Sequence, residues 1–281
     1  MRPLRALFVL TLAVGLTAGC TDDVKDALSP EPTGCHIGDG AEPLHLTSEQ
    51  THNAATIAAV GQRDGMSERA VAVAIATAFQ ESGLVNVDYG DRDSLGLFQQ
   101  RPSAGWGTEE EVLDPVYSSF KFYEKLRRID GWEEMAIGDA AQAVQVSAHP
   151  DLYHQWEDDA FAVAAALAGG QRSGVSCMVP DSRERSLDAQ ALAADFAEQW
   201  GAEVADVDGP VVAIASEDRA GGWNRASWAV AKSHEYDFAS VAYGGRHWQP
   251  GDEGWIVPDL EVTEAANFDE SIVTITLNSP E

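Results

Sequence analysis

Glu81 closes an apolar run, AVAVAIATAFQE, and is the carboxylate of this chain best placed to do chemistry. A carboxyl at the end of a buried helix is removed from water and sits at the negative end of the helix dipole. Both effects disfavour the ionised form. A carboxyl still protonated near neutral pH can donate its proton to a leaving oxygen, as in cleavage of a glycosidic bond. A glutamate taken alone is most often a surface helix residue, so the surroundings must carry the case. Downstream, DYGDRD supplies Asp88, Asp91 and Asp93, and SLGLFQQ follows over 94–100. Sugars stack their apolar faces on rings, which singles out Tyr89, Trp106 and Tyr153. Trp132, Trp156, Trp200, Trp223 and Trp228 lie mostly on helical stretches and read as core packing. His36, His45 and His52 fall near Cys35, but their spacing fits no compact metal motif, so no metal is expected. No phosphate loop, dinucleotide fingerprint, nucleophile elbow or His-Glu-x-x-His motif occurs, and no cofactor is expected.

The elements around Glu81 are legible. A helix over 46–60 is opened by Thr47 or Ser48. A clearer one is capped by Ser67, with Met66 and Val71 at the positions of a hydrophobic staple, and is ended by Gly83. Its small residues on all sides predict deep burial. Further helices are expected over 115–128, 137–148 and 152–168, with an irregular or short-stranded segment over 83–102. After a linker-like stretch at 171–186, helices over 186–201 and 222–236 alternate with strands over 211–215, 238–243 and 272–277, with a Gly244-Gly245 turn.

The 281 residues are comfortable for two domains. The balance is acidic, 46 Asp+Glu against 18 Lys+Arg and a formal net charge of −28. Such a surface repels phosphate backbones and anionic headgroups, so nucleic acid is not an expected partner. The N-terminus reads as an export signal: two arginines in the first five residues, then a short apolar stretch over 6–18 ending in Leu16-Thr17-Ala18-Gly19-Cys20. This resembles a bacterial lipoprotein signal, which makes Cys20 the lipidated residue. The alternative is an ordinary secretory signal cut near Ala18, and both export the chain. With Cys20 lipidated, Cys35 and Cys177 remain as an even pair outside the cytosol and are expected to bridge.

Gln80-Glu81-Ser82-Gly83, then Gly90-Asp91-Arg92, then Gly96-Leu97-Phe98-Gln99 resemble the goose-type lysozyme and lytic transglycosylase superfamily over residues 40–170. Phe98 stands where that family has Met. The resemblance implies that Glu81 is the general acid/base, that Ser82 braces a strand crossing the cleft, and that Gly96, Leu97, Phe98 and Gln99 line sugar subsites. Gln145 and Tyr153 are the nearest equivalents of the family's later Asn and Tyr. Asp91 matches an acidic position of the goose-type enzymes, but Arg101 stands where those enzymes have a second acid, which favours a transglycosylase over a hydrolase. Residues 95–107 and 222–248 also resemble actinobacterial exported and wall-associated proteins. The expected organisation is a signal at 1–20, a tether at 21–34, a mainly α lysozyme-like domain at 35–177 and a small α/β domain at 186–281. The expected function is cleavage of peptidoglycan glycan strands from the outer face of the membrane, through a lipid anchor. The alternative is an inactive lysozyme-fold module that binds the wall as a scaffold.

Overall fold

The computed structural model describes residues 34–38, 43–147, 149–179, 184–204, 206–251, 254–257 and 270–279. The export signal, Cys20 and the tether up to residue 33 lie outside the described residues. No helix among the described residues is long and apolar enough to cross a membrane.

Two helices form the centre. Helix α1 (Ser48–Arg63) opens with a capping box: the Thr47 hydroxyl accepts from Gln50 N, and the Gln50 side chain accepts from Thr47 N. Helix α2 (Glu68–Ser82) is capped by Ser67, whose hydroxyl accepts from Ala70 N at 3.3 Å. Residues from Ala70 through Phe79 are all buried, because alanines at successive positions let neighbouring helices approach from every side. Gly83 at φ 66° ends α2 in the left-handed region. Around α2 stand the later helices α4 (Pro115–Leu126), α5 (Ile137–Gln145) and α6 (Glu157–Ala168), while the short α3 (Glu109–Leu113) packs on α4.

The helix expected over 152–168 is two elements. A 3-10 segment, Pro150–Trp156, precedes α6, a change of helix type that the continuous apolar pattern does not reveal. Residues 34–37, 44–46 and 175–178 form strands β1 (Gly34–Ile37), β2 (Leu44–Leu46) and β3 (Val175–Met178) of an antiparallel sheet ordered β2-β1-β3. These strands are too short for alternation to show. Cys35 faces Cys177 in the β1–β3 register, and the two form a disulfide.

Beyond β3, α7 (Ala189–Trp200) is capped by Asp188, whose carboxylate accepts from Gln190 N and Ala191 N. Helix α8 spans Arg219–Ala231, starting earlier and ending sooner than the expected 222–236. Gly221 and Gly222 do not break it. A side chain at Gly222 would lie 2.0 Å from the Tyr243 ring, so glycine is what lets α8 reach the sheet. That sheet is antiparallel throughout, in the order β4-β5-β8-β6-β7 (Asp206–Asp208, Val211–Ala215, Ile272–Leu277, Phe238–Tyr243, Arg246–Trp248). The fold is therefore mixed α and β, with both sheets antiparallel. Trp223, Trp228, Trp200 and Trp132 are buried, and Trp156 is half-buried against Phe79, as core packing requires.

Candidate active site

The C-terminal end of α2 is fixed before any ligand is considered. Gln50 Nε2 donates to Gly83 O at 2.9 Å, and Asn53 Nδ2 donates to Leu84 O at 3.0 Å. These α1 side chains tie down the carbonyls of the two residues that follow α2. On the other side, Gln80 Oε1 accepts from Gln155 Nε2 (3.0 Å) and Trp156 Nε1 (3.1 Å). Ser82 donates to Leu97 O at 2.8 Å, with Ala78 O at 3.1 Å from the same hydroxyl. The residues on both sides of Glu81 are thus tied down, and its side chain inherits a fixed direction.

Glu81 accepts a hydrogen bond from the hydroxyl of Tyr153. Burial pushes its carboxyl above the usual glutamate range, and the Tyr153 bond opposes that push without cancelling it. The Tyr153 ring is fully buried. Burial, and then the bond to Glu81, hold its phenol far above the ordinary tyrosine range, so it stays a donor. A fully buried ring cannot stack on a sugar. Tyr153 reaches the site through its hydroxyl alone.

The segment 94–101 turns rather than crossing as a strand. Leu95 and Gln100 pair through two backbone bonds of 3.0 Å, and residues 96–99 make the turn between them. Gly96 sits at φ 75°, where a Cβ would lie 2.3 Å from Val112 O. Only glycine satisfies both the left-handed backbone and the close approach. Leu97 and Phe98 are fully buried, and Phe98 stacks on Phe122 at 4.9 Å. Neither side chain faces a ligand, and Gly96 lies behind the same wall. What this turn offers is Gln99, together with the Phe98 carbonyl, which accepts from Gln145 Nε2 at 2.6 Å.

Glu81 opens on a cleft of about 730 Å³ whose walls include Asp91, Arg92, Ser94, Gln99, Arg101, Trp106, Lys125, Gln145, Ser147 and His149. Of the residues singled out in the sequence, the structure brings Glu81, Asp91, Gln99, Trp106 and Gln145 to this one cavity. Tyr89 is 71% exposed and lies outside its walls. Asp91 is almost fully exposed and 3.7 Å from Arg92. Asp93 is not in the cleft. It accepts from Ser103 N (2.7 Å), Ser103 Oγ (2.9 Å) and Arg101 Nε (3.0 Å), and these bonds hold its carboxyl well below the usual range. It is a loop staple, unsuited to proton transfer near neutral pH.

Sequence reasoning passed over Lys125, Arg92, Ser147, His149 and Val146. Val146 ends α5 at φ 57°, 75% exposed on the cleft rim. A β-branched residue in the left-handed region is strained, and such strain concentrates at functional sites. No sequence signal marks it, since valine reads as a core residue. Lys125, in the last turn of α4, carries no sequence signal either, since a lysine on an amphipathic helix reads as a solvated charge.

Cys35, Cys177 and His234 cluster within reach of a common centre, but both sulfurs are committed to the disulfide. Comparison with protein-family models finds no match, and comparison with curated proteins finds none either.

Proposed function

We propose that this protein is an exported, lipid-anchored enzyme that cleaves the glycan strands of peptidoglycan as a lytic transglycosylase, with Glu81 as acid and then base. The observation that carries this reading is the seat of Glu81: a carboxyl whose pKa burial raises, oriented by a buried tyrosine hydroxyl, and open to a polar cleft of about 730 Å³. The motif resemblance over 80–99 supports the glycan as substrate. In the first step Glu81 protonates the glycosidic oxygen, and the bond from that oxygen to C1 breaks. In the second, the sugar's own C6 hydroxyl bonds to C1 and its proton returns to Glu81. Atoms and charge balance without water, and the product carries a 1,6-anhydro end. Asp91 is the other carboxylate on the cleft wall. Its exposure and its neighbour Arg92 fit poorly with a nucleophile or base held against the sugar. The Cys35–Cys177 disulfide supports an oxidising compartment, in line with export and lipidation at Cys20.

The test uses the chain from residue 34 onward and its Glu81→Gln variant on purified sacculi, with products read by mass spectrometry. The expected result is 1,6-anhydro muropeptides from the parent and none from the variant. Reducing ends would replace the transglycosylase with a hydrolase. Unchanged activity in Glu81→Gln would remove Glu81 from the chemistry altogether.

A further inference from the structure

The charge of the chain and the charge of its cleft have opposite signs. Over the whole sequence acids outnumber Lys+Arg 46 to 18. The cleft wall carries Arg92, Arg101 and Lys125 against Glu81 and Asp91. A second, smaller groove of about 170 Å³ adjoins it, sharing Ala104, Trp106 and Lys125, and adds Lys121 and Arg128 against Glu124. Five of the chain's few cations therefore lie along one continuous path, facing three carboxylates, one of which is Glu81. On so acidic a surface a cationic path focuses field lines and collects anions.

The five cations are not equivalent. Arg101 is held by Asp93 at 3.0 Å, Arg92 lies 3.7 Å from Asp91, and Glu124 takes both Lys121 and Arg128. Lys125 makes no ion pair with any described residue. It lies where the two cavities meet, half-buried, with Nζ 4.4 Å over the Trp106 ring. Burial without a counter-charge pushes its ammonium below the usual lysine range. An ammonium stripped of part of its water and offered no carboxylate is costly in the free protein, and an incoming anion would relieve that cost.

We propose that Lys125, presented over Trp106 at the junction of the two cavities, binds an anionic substituent of the glycan, so that the enzyme selects strands bearing carboxylate or phosphate groups over neutral strands. The Trp106 ring supplies an apolar face for the sugar beside the charge. This rests on the glycan reading of the cleft given above, and it is tested by binding, so that its failure is separable from failure of the catalytic assignment.

The experiment titrates the Glu81→Gln protein, which holds ligand without cutting it, with three probes of equal length. These are a peptide-bearing muropeptide tetrasaccharide with free carboxylates, a phosphorylated glycan tetrasaccharide, and neutral chitotetraose. At least one anionic probe is expected to bind about 10-fold tighter than chitotetraose, with affinity falling as salt is raised. Adding Lys125→Gln should erase that preference and flatten the salt dependence, whereas Lys125→Arg should keep both. Preference for the carboxylate probe identifies the stem peptides as the source of the anion, and preference for the phosphorylated probe identifies a phosphate-bearing wall polymer. Equal binding of all three probes, or a preference that survives Lys125→Gln, would overturn the proposal. If the three probes rank as expected while Glu81→Gln still cuts sacculi, the binding inference stands and the catalytic one falls.

Discussion

Tyr153→Phe removes one oxygen from a fully buried ring and leaves the ring's packing in place, so it removes the bond to Glu81, together with the hydroxyl's contact to Ser147. That bond stabilises the carboxylate and not the acid. Without it Glu81 holds its proton more tightly. A hydrogen bond to a charged group contributes about 1.5–3 kcal/mol. Glu81 is half-buried and its carboxylate is partly solvated, so the lower half of that range applies. If proton donation limits the rate, the developing carboxylate loses this support in the transition state. At about 1.4 kcal/mol per factor of ten, kcat should fall by roughly 10- to 50-fold. The pH profile distinguishes this account from simple damage. The alkaline limb reports loss of the Glu81 proton, so in the variant it should move to higher pH even as the maximum rate drops. The assay is release of soluble muropeptides from sacculi across pH 4–10, with thermal unfolding as the control for integrity. A drop in rate with an unmoved alkaline limb, or a limb that moves down, would refute the role given to Tyr153.

Two further outcomes follow from the same chemistry. Glu81 has a folded-state pKa raised above its unfolded value, so its ionisation costs the folded state nothing below the unfolded pKa and progressively more as pH rises toward the folded one. Glu81→Gln should therefore raise the melting temperature at pH 7, and the difference should shrink as pH falls toward the unfolded-state glutamate range near about pH 4. A variant no more stable than the parent at pH 7 would contradict the desolvated seat. The Cys35–Cys177 disulfide joins residues 142 apart, so replacing both cysteines with alanine should cost up to about 5 kcal/mol in the chain-entropy account, measured by denaturant unfolding. A loss below about 1 kcal/mol would mean that the unfolded chain gains little freedom.

The central helices were legible because their signals are local. Ser67, the run of small apolar residues and Gly83 define α2 within a residue or so, and Thr47 does the same for the start of α1. Strands over 211–215, 238–243 and 272–277 were legible from apolar content and alternation. What the sequence hides is pairing at a distance. The β1–β3 ladder joins strands four residues long from opposite ends of the first half, too short for a period to register. The turn at 96–99 reads as a strand in the resemblance, because the φ values of Gly96 and Gln99 are set by the close approach to Val112 and by the Leu95–Gln100 pair. Glu81, Gln99, Trp106 and Gln145 could be proposed for one cavity from their types and a motif. Lys125 could not, since a lysine on an amphipathic helix is by default a solvated charge, and only its lack of a carboxylate partner makes it unusual.

The chain beyond β3 contributes to the site without reaching it. Asn224 of α8 is almost completely buried. Its side chain accepts from Gly170 N at 2.7 Å and donates to Gln62 Oε1 at 2.8 Å, with Ala168 O at 3.2 Å. One amide thus finishes the end of α6 and reaches a side chain of α1. Gln199 of α7 accepts from Trp228 and from Thr56 of α1, and fully buried Lys232 donates to the same Thr56 hydroxyl at 3.1 Å. Burial lowers that lysine to about 8, a cost tolerated only where packing around it is continuous. These contacts grip α1 and α6 through residues that line no part of the cleft. The same two elements hold α2 in place, α1 through Gln50 and Asn53, and α6 through the segment carrying Tyr153, Gln155 and Trp156 that leads into it. Buried groups of both halves belong to one apolar core. The angle at which Glu81 meets the cleft is therefore set by packing from both halves of the chain. A substitution such as Asn224→Ala, at a residue outside the cleft walls, would act on Glu81 by loosening the frame that aims it.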